Sequence, residues 1–310
     1  MTTSITTESR MPSATIEMEQ VTPNVFTNTK LRGCNPSFVV TSGGVVVIDT
    51  PQLPTRAVAM RAEAEKHGPI RYLINTENHV DHIFGNYWFK GAGEIVNHKA
   101  LWDIFMDTKA ALDPFAYALE AIPTDDPEAA PLIPDRDEYY ADLPRGTVVF
   151  TGDLLKLKVG DHTIDCHWTP GHTPGQLAVH VPEERVVFTG DTIFSGCQTW
   201  LMTSNVDQWI EALERIRALS DVDHVVPGHG PVVTLDYVMT QRTVLLTWKA
   251  AVADAVAKGW TREETIARVR FDNKFGPVDV GQAYMMDHIQ NNNAGSLWDK
   301  LAAIGYAKGR

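Results

Sequence analysis

Cysteine is scarce in this 310-residue chain: Cys34, Cys166 and Cys197 lie far apart and in no CxxC pair. An odd, scattered set argues against a disulfide framework and reads as buried, reduced thiols of a cytoplasmic protein. Long apolar runs are missing too. None approaches the roughly 18–20 residues that a membrane span needs. The opening MTTSITTESRMPSA has no apolar signal core, and residues 1–14 read as a disordered tail. Positive charge is in deficit, with 27 Lys and Arg against 39 Asp and Glu and a net charge of −12. A nucleic-acid partner needs a basic surface, and anionic lipid attracts basic segments. Both classes are disfavoured, which leaves a small-molecule partner. Oligomeric state is open, with a homodimer the common case.

What is present suits a folded enzyme. A 44% hydrophobic composition over this length supplies a core for one large domain or two small ones. Val- and Ile-rich runs of strand length recur: SFVVTS (37–42), VVVIDT (45–50), RYLIN (71–75), TIDCHW (163–168), QLAVHV (176–181), RVVFT (185–189) and DHVVPG (223–228). Helical stretches lie between them. PTRAVAMRAEAEKHG (54–68) opens on Pro and closes on Gly. NVDQWIEALERIRAL (205–219) has Asn205 as N-cap and sets Trp209, Leu213, Ile216 and Leu219 on one face. Mixed strands and helices imply a layered α/β architecture.

Two regions stand apart. Residues 110–146 are rich in Pro and acidic side chains and read as an irregular insertion or lid on a core spanning 15–235. From 236 to 310 the chain is mainly helical and reads as a C-terminal segment packed on that core.

Chemistry-bearing residues follow the strand ends. After RYLIN come Glu77, His79, Asp81 and His82; after TIDCHW comes TPGHTPG with His172; after RVVFT comes GD with Asp191; after DHVV comes PGHG with His229. Gly- and Pro-rich turns position such side chains rigidly. If the strands run in one direction, the turns meet at one edge, where α/β folds place their sites. Any one of these turns is a weak signal; four in this order are not explained by structure alone.

ENHVDH (77–82), GHTPG (171–175), FTGD (188–191) and PGHG (227–230) together resemble the metallo-β-lactamase superfamily, whose pattern is HxHxDH, then His, Asp and His on later turns. The resemblance covers about residues 20–235. It implies a four-layer αββα sandwich with two divalent metal ions, most often zinc, in a groove along one edge. It implies that Glu77, His79 and His172 hold one ion and Asp81, His82 and His229 the other, with Asp191 between them. A bridging aspartate resembles the hydroxyacylglutathione hydrolase and lactonase branches. The implied activity is hydrolysis of an ester, lactone, amide or ring bond by a metal-bridging hydroxide, with Asp81 catalytic as well as ligating. Asp49 and Thr50 would support the ligands from behind. The alternatives are thioester hydrolysis of the hydroxyacylglutathione type, a mononuclear-iron redox enzyme, or a metal-depleted binding protein.

Glu77 departs from the pattern, which has His there. It is a ligand that tilts the site toward Mn or Fe without excluding Zn, a residue turned away from a weakly held metal, or a general base beside a single metal. For substrate contact the sequence offers Arg32, Phe115, Tyr139, Trp200 and His288, with Tyr117 and Tyr140 as further lid aromatics, because small-molecule pockets are largely apolar and aromatic. Arg242, Lys249, Lys258 and Arg262 could grip glutathione. His67, His98, His162, His167, His180 and His224 read as structural.

Overall fold

The computed structural model describes residues 15–104, 113–143 and 145–308. The expected tail over 1–14 and part of the expected insertion lie outside the described residues.

Among these residues, twelve strands form two sheets. The first runs β1 (Glu19–Thr22), β2 (Val25–Thr27), β3 (Ser37–Thr41), β4 (Gly44–Ile48), β5 (Ile70–Ile74), β6 (Glu94–His98) and β7 (Val148–Phe150) in chain order. Its first four strands are antiparallel neighbours, and β4 to β7 are parallel. The second runs β8 (Leu154–Val159), β9 (His162–Trp168), β10 (Leu177–Val181), β11 (Val186–Phe188) and β12 (His224–Val226), antiparallel except for the pair β11 and β12.

Alternation along the strands builds the layers. Val39, Val46, Ile48 and Ile74 of the first sheet pack with Ile164, Cys166, Val179 and Phe188 of the second, forming the core between the sheets. Their neighbours point the other way. Phe38, Val45, Val47 and Leu73 meet Ala57, Met60 and Ala64 of helix α1 (Pro54–Glu65). With both faces covered, all five residues of β4 are buried, as its unbroken apolar run requires. Across the second sheet, Ala178, Val187 and Val225 meet the C-terminal helices. The result is the αββα order expected from the sequence.

The region expected to be irregular is largely helical where it is described. After the short α2 (Val80–Ile83), α3 (Pro114–Asp125) and α4 (Arg136–Asp142) flank a 3-10 turn at Pro127–Leu132. Pro114 and Pro127 stand at helix starts, where a missing N–H costs nothing, while Pro123 and Pro131 lie inside their helical turns, and Asp113 caps α3 by accepting from the Phe115 N–H at 3.1 Å. Phe115, Ile122, Tyr139 and Leu143 bury against Ile83 and Phe84, so the insertion has its own apolar cluster over the chain that follows the ligand run.

Helix α5 (Val206–Arg217) starts on the Asn205 cap, which accepts from the Asp207 and Gln208 N–H groups at 3.2 Å. Helices α6 (Tyr237–Ala257), α7 (Arg262–Arg268) and α8 (Met286–Lys308) complete the outer layer. No described helix is long and apolar enough to cross a membrane. The three cysteines are free and buried.

One histidine ties the sheets' edges. His162 pairs through Nδ1 with Asp161 at 2.7 Å and through Nε2 with Glu184 at 2.9 Å, and Glu184 also accepts from Thr22 and Asn24 beside β1. Burial pulls the imidazolium pKa down, but the Glu184 and Asp161 hydrogen bonds outweigh it and leave it raised. A raised folded-state pKa adds stability that is fully present below the ordinary value near 6.5 and is lost as pH rises through the folded value. His162→Gln is therefore expected to lower the melting temperature more at pH 5.5 than at pH 8.5. Equal losses at the two pH values would remove this account.

Candidate metal centre

The site lies where strands of both sheets end. Beyond β5, Asn75 and Asn86 exchange side-chain amide bonds at 2.9 and 3.1 Å, pinning the ligand run. His79 stands at the N-cap of α2, and Asp81 and His82 lie within that single turn. The Thr50 N–H donates to the His82 carbonyl at 3.1 Å, so the end of β4 anchors the turn. From the second sheet, the β9–β10 loop carries His172, the turn at Gly190–Thr192 carries Asp191, and the loop after β12 carries His229. Trp209 of α5 braces two of these: its indole donates to the Thr192 carbonyl at 2.8 Å, and its ring lies 5.0 Å from that of His172. Gly228 backs Asp191, and a Cβ there would stand 2.0 Å from Asp191 Oδ1, so the PGHG turn admits only glycine at that place.

Two donor clusters result. In the first, Glu77 Oε1 lies 3.0 Å from His79 Nδ1, His172 Nε2 lies 3.2 Å from His79 Nδ1, and Asp191 Oδ2 lies 3.3 Å from His172 Nε2. In the second, His229 Nε2 lies 3.3 Å from Asp81 Oδ2, and Asp191 Oδ1 lies 3.1 Å from His82 Nε2 and 3.3 Å from His229 Nε2. Asp191 thus sends one oxygen to each cluster. Glu77 is fully buried, and its Oε1 is also 3.3 Å from His82 Nε2, so its carboxylate points into the centre.

The donors fit divalent ions. Four ligands at about 2.0–2.1 Å on a tetrahedron stand roughly 3.4 Å apart, close to the spacings here. Glu77 Oε2, His82 Nε2 and Asp191 Oδ1 are buried and make no well-aligned hydrogen bond, although Glu77 Oε2 stands 3.0 Å from His79 Nδ1 and Asp191 Oδ1 3.1 Å from His82 Nε2. Such atoms gathered in one place call for a cation.

Behind the donors, carboxylates orient the rings. His82 Nδ1 pairs with Asp49 Oδ2 at 2.9 Å, and His229 Nδ1 with Asp279 Oδ2 at 2.7 Å. Each bond holds the proton on Nδ1 and turns Nε2 to the centre. Asp49 does so from a left-handed backbone, φ 56°, held by bonds from the Thr76 N–H and hydroxyl at 2.7 Å. Thr50 reaches the backbone of the ligand run: its hydroxyl lies between the His82 carbonyl and Asn86 Oδ1.

Charge couples the groups. Burial would raise the carboxylates, but His229 and His82 hold Asp191 well below the usual range, and His82 and His229 hold Asp81 at about 2. Burial would lower the imidazoles, but Asp191 with its neighbouring carboxylates leaves His82 and His229 raised well above theirs. Metal ions compete with those protons for the same nitrogens.

A cavity of about 280 Å³ opens over the donors. Of the residues expected to contact substrate, Arg32, Trp200 and His288 line it, joined by Tyr117, Pro114 and Met202. Phe115 and Tyr139 do not. They are 5% and 1% exposed within the insertion's own cluster, and the Tyr139 hydroxyl donates to the Phe84 carbonyl at 3.2 Å. Arg32 is paired with Asp125 and the Tyr284 hydroxyl.

Asp279 escaped the sequence reading. It stands in GPVDVGQ, some fifty positions past His229, with nothing nearby in sequence to mark it. Asp279→Ala is expected to weaken metal binding about 10–100-fold, as loss of a carboxylate behind a ligating histidine does. Competition with a chromophoric chelator would measure it, and wild-type affinity would remove the role.

Residues 29–229, well over half the chain, match the family model described as the metallo-beta-lactamase superfamily. By sequence the chain is similar to hydroxyacylglutathione hydrolase of Maricaulis maris, 29% identical over 61% of this chain and 58% of that enzyme. It is also similar to that of Rhizobium johnstonii, 25% identical over 77% and 75%, and to Gallus gallus acyl-coenzyme A thioesterase MBLAC2, 27% identical over 64% and 70%. The chain thus covers less than two thirds of the Maricaulis enzyme. In fold it is similar to a Pontibacter korlensis metallo-beta-lactamase, with TM-score 0.58 and 16% identity over 74% of this chain and 98% of that one. It is similar as well to the sec-alkylsulfatase Pisa1 of Pseudomonas sp., with TM-score 0.65 and 15% identity over 91% and 50%. With its strand-end donors and a family match across most of its length, the chain belongs to the metallo-β-lactamase superfamily.

Proposed function

We propose a dinuclear metal hydrolase that opens an ester, lactone or amide bond of a small, mainly apolar molecule. The observation that carries this is the division of Asp191 between two donor clusters, Oδ2 toward His172 and Oδ1 toward His82 and His229. Divalent ions held there would supply a water whose pKa is lowered toward about 7 and would polarise a carbonyl. Glu77, His79 and His172 would hold one ion, and Asp81, His82 and His229 the other. Glu77 adds a hard oxygen, so Mn or Fe compete with Zn.

The remaining work falls to the chain. Of the carboxylates that would ligate, Asp81 and Asp191 line the cavity, and the more open is Asp81, 18% exposed along its side chain against 4%. Its place suits it to carry a proton from the attacking water to the leaving group. Trp200, Met202, Pro114 and Tyr117 present an apolar wall that orients the substrate and keeps bulk water out.

The same wall argues for an apolar substrate over an anionic one. Arg242, Lys249, Lys258 and Arg262 lie off the cavity and pair instead with Glu214, Asp207, Asp254 and Asp299. The names of the relatives favour a second reading, an acyl thioester with an apolar acyl group. Metal content of the protein as purified, with kcat/KM on matched oxoesters, lactones and thioesters, tests both. Two metals per chain and turnover lost in His82→Ala are expected. A metal-free protein whose hydrolysis survives His82→Ala would overturn the proposal.

A further inference from the structure

We propose a third metal-binding site, outside this centre, formed by Asp165, His167 and His180 on the outer face of the second sheet. Its ligand is a borderline divalent transition ion, Zn²⁺ first.

The register places the three together. On β9, Ile164 and Cys166 point into the core between the sheets, so Asp165 and His167 point out. On β10, Leu177 and Val179 point in and Ala178 points out, so His180 points out as well. Asp165 stands directly opposite His180, and His167 lies one step along on the diagonal. Direct and diagonal cross-strand neighbours are within side-chain reach. The two imidazole centroids are 6.3 Å apart, and one ligand atom from each of the three residues lies within 4.8 Å of the others.

Each of the three residues has a buried atom without a partner. Asp165 Oδ1, His167 Nε2 and His180 Nε2 are buried without a hydrogen bond, on residues of which Asp165 is 5% and His180 6% exposed. Native structures rarely leave such atoms unmet. Asp165 is half satisfied: Lys156 holds Oδ2 at 2.5 Å, leaving Oδ1 free. Two imidazoles and one carboxylate form a donor set for Zn²⁺, in contrast to the all-oxygen sets of Ca²⁺ and Mg²⁺. Lys156, 60% exposed along its side chain, can turn to solvent as the ion brings its own positive charge.

The test counts metal by difference. Full-length wild type, His167→Gln and His180→Gln are loaded with Zn²⁺, desalted and measured by plasma mass spectrometry. Each variant is expected to hold one equivalent fewer than wild type, while kcat/KM stays unchanged because neither residue lies in the active centre. His167 is the less buried position, so His167→Gln carries the test should His180→Gln fold poorly, with thermal unfolding in chelator as the check on folding. Lys156→Ala removes the competing cation and is expected to tighten the additional equivalent several-fold. Equal Zn²⁺ content in wild type and His167→Gln would overturn the site. Unchanged affinity in Lys156→Ala would overturn Asp165 as its ligand.

Discussion

An Asp191→Ala protein is expected to lose metal from both clusters at once and on the order of 10³-fold in kcat/KM, the equivalent of several kcal/mol of transition-state stabilisation. The geometry makes this the largest single effect. Asp191 Oδ2 faces His172, and Oδ1 faces His82 and His229. His172→Ala would open one cluster and His82→Ala the other, whereas removing Asp191 opens both. Asp191→Asn keeps the volume against Gly228 and loses the charge, so it separates packing from ligation. Metal analysis with kcat/KM checks both variants. Two retained metals in Asp191→Ala would show that the residue bridges nothing.

The second large effect belongs to Glu77. A buried carboxylate with one oxygen lacking a hydrogen bond is costly unless a cation answers it. Glu77→Gln keeps the shape and loses the charge, and is expected to weaken the first cluster's ion about 10–100-fold or more, beyond what loss of a supporting carboxylate costs. Glu77→His restores the family pattern; it should keep the fold and shift the metal found in purified protein toward zinc. With Glu77, three carboxylates and a hydroxide would balance the two dications of the proposed centre. With His, the centre gains positive charge, and the pH profile of kcat should move to lower pH. An unchanged metal profile and rate in Glu77→His would make Glu77 a bystander.

The parts legible in the sequence were those that local order controls. Strand runs rich in Val and Ile, ended by Gly and Pro, marked where the chain turns, and the ligand types stood on those turns. Asn205 announced α5 because a helix must satisfy its first N–H groups. The 110–146 stretch misled because proline reads as a breaker, whereas at Pro114 and Pro127 it starts a helical turn. The lid aromatics divided for a reason invisible in sequence. Phe115 and Tyr117 are two positions apart on one helix, so one turns to Phe84 and the other to the cavity.

By itself the sequence determined which residues could bind metal and their order along the chain, since spacing and turn chemistry are local properties. Only the tertiary structure decided which donors meet. β5 brings its loop from one sheet, and β9, β11 and β12 bring theirs from the other; packing of the two sheets across a shared apolar core sets the distances between them. That packing aims Glu77 inward, splits Asp191 between two clusters, and carries Asp279 back to His229. Each is a contact between side chains whose directions depend on the whole fold, and no pattern of neighbours along the chain encodes it.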